Sequence, residues 1–466
     1  MLHFNKTYKA ISWIFLVISF TSCKKFIEVS PPADRLVSST VFTSDASATA
    51  AIAGIYSSMI NQNFGFACAG MTLYPGLSAD EFNNYSSTAT QLEFSNNSLT
   101  VVNSTIGDLW NFPYNNIYSA NSVIEGLQNS SSVSLAVKNQ LLGEAKFIRA
   151  FCHFCLVNLF GDVPLVTTTD YRKNTIIARM PKDQVYQQIV TDLTEAQLLL
   201  VNDYSFSSNE RVRPNKWAAT ALLSRAYLYM GKYAEAEAQS ASILNNTGLY
   251  SLVNNLNNVF LKNSQESIWQ LMPGRPNQNT NEGRFFILTT APSSSTPGIT
   301  ISNSLLNAFE NGDARKSAWI NSITAGNNIY YFPFKYKVKT VVGTILTEYY
   351  TVLRLSEQFL IRAEARAQEN NISGAQTDLN SIRNRAGLPN TTANDKSTLL
   401  KAIEQERRVE LFAEWGHRWL DLKRTNRADS VLLPVKLSNW QPTDALYPIP
   451  QIQIDNDPNV SQNAGY

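Results

Sequence analysis

The sequence predicts a mainly α-helical chain built on about four tetratricopeptide-like helix pairs, with long loops and a few short strands between them. Two copies of one pattern and one charged helix carry that prediction. From Pro214, the residues Leu223, Ser224, Ala226, Tyr227, Gly231, Tyr233 and Ala236 fall at the offsets of a tetratricopeptide helix-turn-helix. Small residues let the two helices approach, and Gly231 supplies the turn. Thr220 stands where that motif's tryptophan usually stands. In the second copy Ala365, Asn370, Ile372 and Ala375 repeat the offsets of Ala226, Gly231, Tyr233 and Ala236, and asparagine takes the left-handed turn conformation nearly as well as glycine. In the stretch Leu399 to Arg424, the residues Leu400, Ile403, Leu411, Phe412 and Trp415 recur at helical spacing. Glu404 with Arg408 and Glu414 with Arg418 stand four apart, so the stretch predicts one long amphipathic helix ended by Gly416. Beyond it Trp419, Leu420 and Leu422 mix so densely with Arg418, Asp421, Lys423 and Arg424 that the charges must pair with one another.

In chain order, Lys6 and Lys9 precede an apolar run from Ala10 to Phe20. That run is shorter than the roughly 20 residues of a membrane-spanning helix and suits a secretory signal. It ends in Phe20-Thr21-Ser22-Cys23, small residues before a cysteine in the manner of a bacterial lipobox. The expectation is a signal peptide over 1–22, a lipidated tether over 23–34 anchored at Cys23, and one domain over 35–466. An ordinary signal peptide with an incidental cysteine is the plainer alternative. Thr43 or Ser44 caps a helix whose inner face carries Ala48, Ile52, Ile55 and Tyr56. Residues 61–103, rich in Asn, Ser, Thr and Gly, show no steady period and read as a long elaborated loop. Tyr114 to Asn121 reads as a helix, and Leu141 to Phe160 as a helix buried nearly all round that stops at Gly161. Pro181 opens a helix to Leu200. With Leu142, Gly143 and Ala145 it makes a third, degenerate pair, and the Leu399 helix belongs to a fourth. Residues 246–351 are broken by prolines and read as loop with short strands at Tyr330 to Phe332, Lys335 to Lys337 and Thr347 to Val352.

Composition narrows the function. A net charge of +2 from 39 basic and 37 acidic residues, without a long block of either sign, gives no nucleic-acid footprint. Cys152-His153-Phe154-Cys155 has redox or zinc spacing, but it lies inside an apolar helical pattern and reads as buried small side chains. With three histidines in the whole chain, one of them in the signal, neither a metal site nor a Ser-His-Asp triad is supplied. No cofactor motif is present. Two carboxylates suffice for a glycosidase, and Asp80-Glu81 is the pair left open for that role. Glu404, Glu406, Glu410 and Glu414 sit among arginines, where ion pairing would lower their pKa values.

The run Glu406 to Glu414 with Gly416 to Arg424 resembles the C-terminal signature of the SusD/RagB family of surface nutrient-binding lipoproteins. Arg149-Ala150-Phe151, Leu159 to Leu165, Asn311 to Lys316, Leu379 to Leu388, Tyr447-Pro448-Ile449-Pro450 and Gln462 to Tyr466 follow in the family's order, with Ala464 where the family commonly has proline. The resemblance implies a SusD-like fold at the cell surface and an outer-membrane lipid anchor at the N-terminus. It also implies a SusC-like TonB-dependent transporter as partner, to which glycans, or in RagB-like members peptides, are delivered. An oligosaccharide ligand needs exposed aromatic faces for sugar C–H groups and amide or carboxylate partners for hydroxyls. The two irregular segments hold that mixture: Phe64, Phe66, Tyr74, Asp80, Phe82, Asn83, Asn84 and Tyr85 in the first, and Trp269, Arg275, Asn277, Gln278, Asn279, Phe285, Phe286 and Tyr330 in the second. A peptide binder and a glycoside hydrolase are the rival readings.

Overall fold

Ser44 accepts the Ser47 amide at 3.2 Å and starts α1 (Asp45–Ile60), which turns Ala48, Ile52 and Ile55 inward at the spacing read from sequence. The computed structural model describes residues 41–60, 65–275, 277–294, 298–340 and 345–466. The expected signal peptide and tether, Cys23 and Phe64 therefore lie outside the described residues. No helix among the described residues is long and apolar enough to cross a membrane.

The expected loop over 61–103 is corrected by the structure. Beyond a π-turn at Phe66–Gly70 come α2 (Met71–Ser78), β1 (Phe82–Asn84) and α3 (Ala89–Asn96). Residues 65–82 are all buried. A helix enclosed on every side needs no polar stripe, so it leaves no 3.6-residue period to read. Pro75 and Gly76 inside α2 lower its propensity further. Gly76 is there for space, since a Cβ would stand 2.4 Å from the Phe82 ring.

The helices read from sequence pack as an ordered series. Asn103 caps α4 (Ser104–Gln128) by accepting the Thr105 amide at 2.9 Å. Next come α5 (Leu135–Phe160) and α6 (Lys182–Leu199), and a Cβ on Gly143 would lie 2.7 Å from Leu200, so the close approach of this pair fixes the glycine. The two tetratricopeptide-like pairs are α7 (Lys216–Tyr229) with α8 (Tyr233–Leu244) and α9 (Leu355–Gln368) with α10 (Ile372–Arg385). Their turns sit at Gly231, φ +70°, and Asn370, φ +62°, as the repeat predicts. Each of α4 to α9 packs on its successor, and α11 (Lys396–Glu410) closes the series against α9 and α10. Cys152 and Cys155 are free and buried on α5, and burial pushes the Cys155 thiol up to about 12.

Three short antiparallel pairings cross the second half. β1 pairs with β3 (Ile299–Ile301), β2 (Ser267–Leu271) with β6 (Tyr350–Arg354), and β4 (Ile320–Ala325) with β5 (Asn328–Pro333). The strand expected at Lys335 to Lys337 does not form; Lys335 instead turns into the core, where its Nζ donates to the Glu410 carbonyl at 2.7 Å and pairs with the Glu414 carboxylate.

The long helix expected from Leu399 to Gly416 is also corrected. It ends at Glu410, and Ala413, Trp415 and Gly416, with φ of +52°, +48° and +71°, swing the chain into α12 (His417–Arg424) and then α13 (Ala428–Lys436). Its charges find partners across the fold rather than along the helix. Arg408 and Arg418 both clamp Asp80, while Glu414 takes Arg354 and Lys335. At the centre Glu410 meets Arg315, Arg354 and Arg385, Glu266 meets Arg354 and Arg385, and Glu406 meets Arg315 and Arg383. Dense pairing is what the sequence demanded. The lowered pKa expected for the whole glutamate row holds at Glu410, whereas burial pushes the Glu406 carboxyl up despite Arg315.

Candidate functional site: an aromatic rim on the strand side

Phe82 and Phe286 pack against each other below the surface with ring centroids 5.4 Å apart, joining the two segments that were expected to hold ligand. The residues next to them reach solvent. Beyond Phe82, β1 runs antiparallel to β3, and the Tyr85 amide donates to the Gly298 carbonyl at 2.8 Å. A Cβ at Gly298 would stand 2.9 Å from Tyr85 Cβ, so glycine is what allows the tyrosine to lie there. Tyr85 is 40 % exposed, and the edge of Tyr330, half-buried on β5, meets it with centroids 5.9 Å apart. Asn83 is exposed, its amide turned to Thr300 Oγ1 and the Ile301 carbonyl at 3.1 and 3.2 Å.

On the other segment, Arg275 and Asn277 are exposed, and Phe285 is half-buried beneath the Arg284 guanidinium at 5.2 Å. This segment is held from behind. Asn279 accepts the Thr347 amide at 3.0 Å, the Asn281 amide donates to Tyr350 Oη at 3.0 Å, and Glu282 Oε1 accepts from the Ala69 amide and Thr72 Oγ1. The polar and aromatic side chains thus stand on an anchored frame.

Several candidates are removed from the surface. Phe66 packs against Phe151, Tyr74 lies 4.7 Å from Phe94, and Phe82 and Phe286 cover each other. Trp269 is wholly enclosed, edge-on to Phe147 and Phe151 at 4.8 and 5.4 Å. A strand buried on both faces shows no polar alternation, so nothing in Ser267 to Leu271 marked its tryptophan as core. Asp80 is 3 % exposed and doubly bound, Arg418 Nε and Arg408 Nη2 each donating at 2.7 Å. Burial alone would raise its carboxyl, but these guanidinium groups win and hold it low. Its neighbour Glu81 accepts the Ala413 amide at 3.2 Å and is pushed up to about 7 by burial. The pair ties α2 to the α11–α12 turn.

Of the candidates, Asn83, Tyr85, Arg275 and Asn277 stay exposed and Phe285 half-buried, with Tyr330 packed beside Tyr85. Ile329, next to Tyr330 on β5, is 54 % exposed and adds apolar surface that the sequence did not single out. Such a rim offers flat apolar faces, amide hydrogen bonds and a guanidinium, the requirements of a polyhydroxylated ring. Among the described residues no group of three or more His, Cys, Asp or Glu side chains is placed to hold a metal ion.

Two family models match the chain in sequence. Residues 25–228 match a model described as starch-binding, associating with the outer membrane, and residues 307–466 match the SusD family model. The chain belongs to the SusD/RagB family, whose members are glycan-binding proteins associated with the outer-membrane surface. SusD-like protein P2 of Formosa agariphila is 25 % identical over 99 % of this chain and 100 % of its own. SusD-like protein P25 of the same organism is 27 % identical over 57 % of this chain, and the match spans about half of that relative, 52 %. Among solved structures, one described as a laminarin binding SusD-like protein superposes with a TM-score of 0.75 at 25 % identity, covering 90 % of this chain and 99 % of that one.

Proposed function

We propose that this chain is a lipid-anchored receptor of the outer-membrane surface. It holds an oligosaccharide on the Tyr85–Tyr330 rim and passes it to a SusC-like TonB-dependent transporter. The observation that carries the reading is the exposed Tyr85 ring with Tyr330 packed against it in a T-shaped pair, and exposed Asn83 on the strand that leads into Tyr85. A tether near a pore raises the local concentration of whatever the rim holds. Binding rather than hydrolysis is supported by the state of the one carboxylate pair weighed for catalysis: Asp80 is taken by two guanidinium groups, and Glu81 is enclosed against a backbone amide.

Laminarin is the first probe, because a structural relative is described as binding it. In isothermal titration of the full chain against a glycan panel and a peptide library, a glycan is expected to bind. Tyr85→Ala and Tyr330→Ala should each weaken it by about tenfold, the loss of one aromatic face worth ~1 kcal/mol or more. Unchanged affinity in both variants, or binding of peptides alone, would remove the rim reading. A second expectation concerns the anchor. Cys23→Ala should leave the unfolding midpoint unchanged and move the protein from the membrane to the soluble fraction; continued membrane retention would count against lipidation at Cys23.

A further inference from the structure

A cleft of about 350 Å³ opens where α4 faces the loop 164–177 and the short terminal helix Gln451–Asn456. It shares no residue with the aromatic rim. Its walls are tied in place. Gln453 Nε2 donates to Asn111 Oδ1 at 3.1 Å and joins the terminal helix to α4. Tyr114 Oη donates to the Pro164 carbonyl at 2.8 Å, and the Asn174 amide to the Thr168 carbonyl at 2.8 Å, so the loop is held both to α4 and to itself. The opening is therefore preformed rather than a gap between loose segments.

The lining states the chemistry of an occupant. Among the described residues that line the cleft there is no Lys, Arg or His, and Asp457 is the one acid, so its field does not favour an anion. Its polar surface is amide instead. Asn115 follows Asn111 by one turn of α4, and Asn456 follows Gln453 by three residues, so each lies on the face of its helix that carries the bonded Asn111–Gln453 pair. Both are exposed, and neither side-chain amide is bonded to a described residue. Each offers an NH2 donor and a carbonyl acceptor, the pairing that a hydroxyl, donor and acceptor at once, can use in full. Half-buried Tyr114, its own hydroxyl spent on Pro164, contributes a ring, and half-buried Val166 and Ile177 contribute aliphatic surface. Amides on two walls and apolar groups on the third suit a neutral sugar, which carries hydroxyls at its edge and C–H groups on its face. The volume lies near the lower end of small-ligand sites, roughly 300–1,000 Å³, which suits a mono- or disaccharide unit.

We infer that this cleft is a second saccharide site, separate from the rim and selective for a neutral sugar unit, whose hydroxyls meet Asn115 and Asn456 and whose C–H face rests on Tyr114 and Ile177. The inference shares the glycan class of the proposed function but does not depend on the rim. An extended peptide also pairs with side-chain amides, and the experiment separates the two. The full chain carrying Tyr85→Ala and Tyr330→Ala, which weaken the rim, is titrated with laminaritriose, cellotriose, mannotriose and xylotriose, with glucuronate, and with an asparagine-rich peptide. At least one trisaccharide is expected to bind, and to bind more tightly than glucuronate or the peptide. Adding Asn115→Ala or Asn456→Ala, at exposed positions with no side-chain partner to lose, should leave the unfolding midpoint unchanged while weakening that trisaccharide about fivefold each, ~1 kcal/mol per hydrogen bond. Absence of trisaccharide binding in the rim variant, indifference to both asparagine substitutions, or preference for glucuronate or the peptide would each overturn the assignment. Failure of the rim reading looks different: wild-type affinity would be unmoved by Tyr85→Ala and Tyr330→Ala yet still fall with the asparagine substitutions, which supports the cleft.

Discussion

Replacing Glu410 by alanine is expected to destabilise the protein by about 3–5 kcal/mol, or to prevent folding, because it leaves buried cations without their shared anion. The Glu410 carboxylate takes Arg315 at 2.9 Å, Arg354 at 2.6 Å and Arg385, all three guanidinium groups almost fully enclosed. Burial by itself would raise its pKa, but Arg385, Arg354 and Arg315 outweigh that and hold it well below the usual carboxylate range. A carboxyl depressed in the folded state contributes stability that is present above its unfolded pKa and is lost as the pH falls through the folded value. The wild type should therefore lose part of its advantage over the Ala variant on strong acidification. Urea unfolding at neutral pH is the measurement, and a variant within ~1 kcal/mol of wild type would show that the other glutamates suffice for these arginines.

Glu282→Gln is expected to act in the opposite direction and at the other end of the pH scale. Glu282 is 4 % exposed, and its Oε1 accepts from the Ala69 amide at 3.2 Å and from Thr72 Oγ1 at 3.4 Å, while Oε2 has no partner among the described residues. Desolvation pushes its carboxyl from 4.5 to about 7. Since the folded pKa is the higher one, the native state prefers the protonated group. The resulting stability is complete below the unfolded value near 4.5 and is lost as the pH rises to about 7. Glutamine keeps the accepting oxygen and never ionises. The variant should match wild type at acid pH and exceed it at pH about 8 by up to roughly 3 kcal/mol, the worth of such a shift. Parallel stability profiles from acid to pH about 8 would mean that Glu282 is solvated in the native state. Because Glu282 lies on the short helix Asn281–Phe286 that carries Phe285, the same titration is expected at the back of the rim.

The helix pairs were legible because each keeps one face in contact with the next, so spacing and turn residues survive in the sequence at Gly231 and Asn370. The site was only half legible. Tyr85, Asn83, Arg275 and Asn277 reach solvent as expected, but Phe66, Tyr74, Phe82, Trp269 and Phe286 do not. The segments of Phe66, Tyr74 and Trp269 are enclosed on all sides, and enclosure erases the periodicity that tells core from surface, while Phe82 and Phe286 turn inward beside exposed Asn83 and half-buried Phe285. Charge patterning misled in a related way. Glu404 with Arg408 and Glu414 with Arg418 have intrahelical spacing, yet the real partners of Arg408 and Arg418 include Asp80, far upstream, which no local window can see.

That remote pairing bears on how the polypeptide reaches its final form. Asp80 and Arg418 are separated by 338 positions, and Arg225 closes on Glu357, so each half supplies counterions to the other. The stretches 25–228 and 307–466, matched by different family models, are joined by these buried ion pairs. Contacts of such span form late and slowly. A nascent chain that has not yet reached Arg408 and Arg418 leaves Asp80 without either of the guanidinium groups that clamp it in the finished fold.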